Sequence, residues 1–255
     1  GATFAARQKL IEVLRLVSQS KDAAQGKPVY STALRSGLRA IEEAEDFSPR
    51  GAQLEAELDI KLVVDAHQTP VAEQLELEGE LPCHMVDRYL RYAQIKLAMS
   101  VAGDPAGSMA LYALGKVTSR MGKSEQHANP LAHQQAVAYQ QASVLSHGGN
   151  YYAKHELAVL LAESGHLRQS HSLLASLASS HRNPTLYRNL ARVQQQLGMD
   201  EQAASTRAMA LALRTNYPQQ ANRVNWVAPQ NFGRSAAPPQ NSLNGNMVLR
   251  PPHDR

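Results

Sequence analysis

Four groups of residues in this 255-residue chain have the types that do chemistry. Gly122-Lys123-Ser124 is the tail of a phosphate-binding loop, whose backbone N–H groups would cradle an anion while the lysine reaches its far end. That loop needs a glycine five positions before Gly122 and a strand leading in; Val117 stands there, and the approach is helical. Ser18 and Lys21 have the Ser-x-x-Lys spacing of some acyl-transfer enzymes, without the companion boxes such enzymes carry. Lys21 reads better as a solvated helix end. Of the ten histidines, His127, His133, His147, His155, His166, His171 and His181 cluster in the second half, yet none stands four residues from another beside a Glu, as a helix-borne zinc site requires. His155-Glu156 has no second His, and Cys83-His84 is an isolated pair. The expectation is no catalytic residue, no cofactor and no metal.

Stepping from single residues to the elements that would hold them, composition points to helices. Hydrophobic residues make up 43% and aromatics 5%, with Ala and Leu dominant and Val and Ile sparse, which disfavours a β-sandwich or barrel. One cysteine excludes a disulfide framework within the chain. No apolar run approaches the roughly 18 residues of a membrane span, and the N-terminus lacks the succession of a signal peptide. The chain reads as soluble. It begins at Gly1 without an initiator Met, which points to upstream trimming, so the compartment stays open: cytoplasmic, or extracytoplasmic if a signal or anchor was removed.

Charge is uneven. Residues 1–105 carry 12 Lys/Arg against 16 Asp/Glu, and residues 106–255 carry 14 against 6. The acidic clusters read as solvated helix faces, and the basic half has no dense Lys/Arg run, so nucleic acid is disfavoured as a partner. Opposite halves also allow a self-association reading, in which the acidic half of one copy meets the basic half of another.

A pattern recurs in the second half. Leu114-Gly115 precedes Gly122, Leu157-Ala158 precedes Gly165, and Leu190-Ala191 precedes Gly198, each time by the same interval. The small residue would let a second helix approach, the Leu would supply the buried stripe, and the later glycine could take the positive φ that ends a helix. Second helices are expected over about Leu167–Ser179, before Asn183-Pro184, and about Asp200–Thr215, with Asp200 as N-cap. In the first half, amphipathic helices are expected over Phe4–Val17, Tyr30–Ala44, Leu54–His67 and Met85–Val101, with a break over Thr69–Cys83.

These residues resemble the tetratricopeptide repeat family in divergent form, most clearly over residues 93–217. The second-helix pattern stands at Ala93-x3-Leu97-x2-Ser100-x4-Pro105 and the first-helix pattern at Leu111-x2-Leu114-Gly115. Departures are extra residues around Ser124 to Leu131, a later period one residue short, and missing large aromatics. The resemblance implies an all-α fold, a right-handed superhelical solenoid of antiparallel hairpins. Residues 1–105 would be a helical region of degenerate repeats, 106–217 the hairpins, and 218–255 an extended or disordered tail rich in Pro, Asn and Gln, with an apolar island at Trp226, Val227 and Phe232.

The family's inner face, taken at i, i+3, i+7 and i+10 of each first helix, falls on Tyr112 and Lys116, on Tyr152 and His155, and on Arg188, Arg192 and Gln195. That implies a basic, aromatic groove for a protein or peptide partner, with extended acidic segments preferred and no catalysis. The Lys and Asn set with which some family members clamp a C-terminal carboxylate is missing, so that activity is not carried over. The alternative is an enzyme or ligand carrier with a pocket between the N-terminal region and the repeats, near Cys83 and His84.

Overall fold

A computed structural model describes residues 2–48, 58–73, 75–122 and 129–216. The tail with Trp226 and Phe232, and the loop residues Lys123, Ser124 and His127, lie outside the described residues. Within them the chain is all-helical: α1 (Ala2–Gln25), α2 (Val29–Glu43), a 3-10 turn (Ala44–Phe47), α3 (Ile60–Asp65), α4 (Pro82–Ser100), α5 (Pro105–Gly122), α6 (Ala132–Ser146), α7 (Tyr151–Glu163), α8 (Leu167–Ser180), α9 (Pro184–Gln196) and α10 (Asp200–Asn216).

Helix ends follow local chemistry. Asn150 and Asn183 accept N–H groups of the first turns of α7 and α9, and Pro184 starts α9, where its missing N–H costs nothing. Gly165 and Gly198, at φ +80° and +75°, end α7 and α9 as expected. Asp200 is the first residue of α10 and places its charge at the positive end of the helix. Gly122 departs from the expected pattern. It keeps a helical backbone, and its missing side chain is used for contact, since a Cβ there would collide with the Ala132 methyl.

Two first-half helices differ from their expected registers. In α1 the buried residues are Ile11, Leu14 and Ser18, while Val13 faces outward. The expected Leu54–His67 helix begins, within the described residues, only at Ile60, because the Asp59 carboxylate accepts the Leu62 N–H at 3.1 Å and caps it there. Ile60 is therefore the buried residue, and Leu58 and Leu62 are exposed. The segment after α3 is tied down by polar bonds. Glu43 accepts the Gln68 N–H at 2.7 Å and the Thr69 hydroxyl, and His67 Nδ1 lies 2.7 Å from the Tyr89 hydroxyl. Burial, with the Glu43 charge adding to it, pushes the Tyr89 phenol up to about 12.

Five helices, α1, α2, α4, α5 and α6, pack into a closed ring. α1 lies on α2 and α5, α2 on α4, α4 on α6, and α6 on α5, around a core that includes Leu14, Leu34, Phe47, Tyr89, Leu111 and Tyr139. Residues on both sides of position 105 contribute to it. Close approaches run through glycine: a Cβ on Gly37 would lie 2.8 Å from Leu97 Cγ, and one on Gly115 would lie 2.5 Å from Gln140 Nε2 and 3.1 Å from Tyr139 Cβ.

Beyond the ring, α7 packs on α8 and α9 on α10, with α6 against α7 and α8 against α9. A second core contains Ala158, Leu174, Leu177, Leu186, Leu190 and Val193. The three recurrent leucines, Leu114, Leu157 and Leu190, are all buried, as are Gly115, Ala158 and Ala191 beside them. A polar clasp fixes α7 on the α5–α6 pair. The Ser108 and Ser143 hydroxyls each donate to the other's carbonyl at 2.9 and 2.8 Å, and the Asn150 amide donates to both hydroxyls at 3.0 and 3.1 Å. Every buried polar group of the clasp thus has a partner, so its burial carries no desolvation penalty of an unmade bond.

Candidate functional site

The first helices α5, α7 and α9 lie side by side, and their facing residues meet across the gaps. The Tyr112 and Tyr152 rings are 5.9 Å apart, joining α5 to α7. Lys116 Nζ is 2.8 Å from Glu156 Oε1 across the same gap. Between α7 and α9, the Asn189 amide donates to His155 Nε2 at 3.0 Å, which makes His155 the neutral acceptor. The Tyr151 ring stacks on His155 at 5.9 Å and lies tilted against His181 at 4.4 Å. Burial lowers the His155 pKa, with Lys116 adding to the effect and Glu156 opposing it. Burial likewise raises the Tyr112 phenol.

Of the seven expected residues, the structure brings Tyr112, Lys116, Tyr152 and His155 into one continuous row. Arg192 extends it on α9, exposed and without an acidic partner among the described residues. Arg188 is exposed and donates to Thr185 of its own helix at 3.1 Å. Gln195 departs from the row: its carbonyl oxygen accepts from Arg207 of α10. Sequence spacing missed Glu156 and Asn189. Glu156 stands one residue past His155, off the i, i+3, i+7 series, yet its carboxylate pairs with Lys116 and offsets its charge.

A broader hollow lies elsewhere. A groove of about 800 Å³ runs between α4, α6 and the α7–α8 turn, lined by Phe47, Cys83, Leu90, His133, Ser164 and His166 among others. It matches the place of the alternative pocket in respect of Cys83, while His84 is held 3.3 Å from Glu80. In its lining His133 Nε2 lies 2.5 Å from Ser164 Oγ, and outside the lining Glu163 Oε2 lies 4.0 Å from His133 Nδ1, the order of a nucleophile, base and carboxylate. Its chemistry is incomplete. The Ser164 hydroxyl also donates to the Leu160 carbonyl at 3.0 Å, and the Glu163 contact is too long to orient the imidazole. The Ser164, Gly165 and His166 N–H groups, which could have stabilised an oxyanion, are bonded to Leu160, Ala162 and Leu161 carbonyls.

No three His, Cys, Asp or Glu side chains among the described residues group as metal ligands, and no helix there is long and apolar enough to cross a membrane. No known family model, curated protein or solved structure matches this chain.

Proposed function

We propose that this chain is a non-catalytic interaction module built of tetratricopeptide-like hairpins in a superhelical stack, and that its α5–α7–α9 face binds an extended peptide segment bearing carboxylates. The observation that carries this reading is the continuous row from Tyr112 through Tyr152 and His155 to Arg192, drawn from three different helices. Stacked hairpins leave one row of helices facing a common surface, which is where such proteins take their ligands. Tyr112 and Tyr152 offer flat contact area at low rotamer cost, and the guanidinium groups of Arg188 and Arg192 can each grip a carboxylate with two parallel hydrogen bonds. Since Lys116 is countered by Glu156, the acidic preference rests on the two arginines.

The test is fluorescence anisotropy with a labelled, end-blocked Glu-Glu-Leu-Glu-Glu peptide. Reversing Arg188 and Arg192 to Glu should weaken binding by roughly tenfold or more, about 1.4 kcal/mol, with the helical circular dichroism unchanged. Unchanged binding removes the face.

A second reading, a ligand carrier or enzyme using the groove at Cys83, is favoured by the groove's size, which lies within the ordinary range of ligand pockets. It predicts that a small molecule, not a peptide, protects Cys83 from thiol labelling.

A further inference from the structure

Beside Arg192 the α7–α9 gap deepens into a second hollow of about 350 Å³. Its walls are apolar: Val159 and Ala162 from α7, the fully buried Leu174 from α8, and Val193 from α9. Its polar lining is Glu163 from α7 and Asn189, Arg192 and Gln196 from α9. The volume sits at the low end of ligand pockets and is enough for one aliphatic side chain.

The geometry points to this hollow as a specificity socket that takes a single aliphatic side chain of the bound peptide, with a neighbouring Asp or Glu of that peptide gripped by Arg192. This inference rests on the reading of the α5–α7–α9 face as peptide-binding.

Charge chooses the occupant. Arg192 has no acidic partner among the described residues, whereas Lys116, the other cation of the row, is already matched by Glu156. Asn189 spends its Nδ2 on His155, which leaves its carbonyl oxygen to accept a peptide N–H. Apolar walls reward an aliphatic residue and penalise a polar one, because a hydroxyl placed there would lose its water without gaining a partner.

The experiment compares three labelled, end-blocked peptides by anisotropy: Glu-Glu-Leu-Glu-Glu, its counterpart with Ser for Leu, and its counterpart with Gln for every Glu. Wild-type protein should bind the Leu peptide roughly tenfold more tightly than the Ser peptide, the factor expected from burying a leucine side chain. Ala162→Phe, which fills the hollow, should erase that difference while leaving the Ser peptide's affinity as it was. Gln196→Trp, at the exposed mouth, should do the same and serves where Ala162→Phe disturbs the helices. Arg192→Gln should weaken the Glu peptides and spare the Gln peptide. Equal binding of the Leu and Ser peptides, both weakened by the double arginine reversal, would leave the face standing and overturn the socket. Failure of all three peptides to bind at millimolar concentration would overturn both.

Discussion

Lys116 Nζ and Glu156 Oε1 lie 2.8 Å apart, joining α5 to α7 through residues 40 positions apart in sequence. The pair turns what would be a uniformly basic face into one with its positive charge displaced toward α9. Glu156→Gln should therefore strengthen binding of an acidic peptide, because Lys116 is released to the ligand. The stability cost should be small, about 0 to 1 kcal/mol for a pair partly open to water. Anisotropy and thermal melting read the two effects separately; weaker binding with Gln at 156 would contradict the charge account.

His155 carries a pH dependence whose sign is fixed by its burial. Its folded pKa lies below the ordinary 6.5, so below pH 6.5 the unfolded chain binds more protons than the folded one. The contribution of neutral His155 is fully present above pH 6.5 and is lost as pH falls through the lower folded value. Melting temperature should drop between pH 7 and pH 5, and His155→Gln should reduce the drop, since Gln does not titrate. An identical drop in the variant would show that His155 is not the group responsible.

Leu157 tests the register of the recurrent pattern. It is 7% exposed, so Leu157→Ala should cost about 2 to 5 kcal/mol in urea unfolding. Gly115→Val should also destabilise, by about 1 to 3 kcal/mol, because its side chain would enter the space held by Gln140 and Tyr139. A neutral result at either position would contradict the packing described.

How much of this could be read from residues alone differs between the halves. Second-half helices obey local signals: Gly165 and Gly198 must turn, Asn183-Pro184 must stop one helix and start another, and the bounds of α8 and α10 fall within a residue of those expected. The residues Tyr112, Lys116, Tyr152 and His155 came from the inner-face positions that the family resemblance implies; helical spacing groups each pair within its own helix, and only the resemblance suggested that the two pairs share a face. Ring closure in the first half was not legible, since the contact of α1 with α5 joins helices nearly a hundred residues apart and leaves no periodic trace. Val13 and Ile11 are similar in hydropathy, and only the direction of the neighbouring helices decides which is buried. Glu156 and Asn189 escaped for the same reason: each acquires its role from a partner on another helix.

The opposite charges of the two halves make a separate prediction. If copies join through them, light scattering should show a larger species at low salt that dissociates at about 0.5 M salt, where the Debye length falls to a few ångströms. A single mass at both salt concentrations would leave the charge difference without a role in assembly.

The central claim is that an acidic peptide is taken by the α5–α7–α9 face. Backbone amide shifts in the nitrogen–proton NMR spectrum, followed as Glu-Glu-Leu-Glu-Glu is added, test it most directly. The account predicts saturable changes confined to the neighbourhood of Tyr112, Tyr152, His155, Asn189 and Arg192, with Cys83, His133 and Ser164 unmoved. Changes centred on the groove between α4, α6 and the α7–α8 turn, or none anywhere, would contradict it.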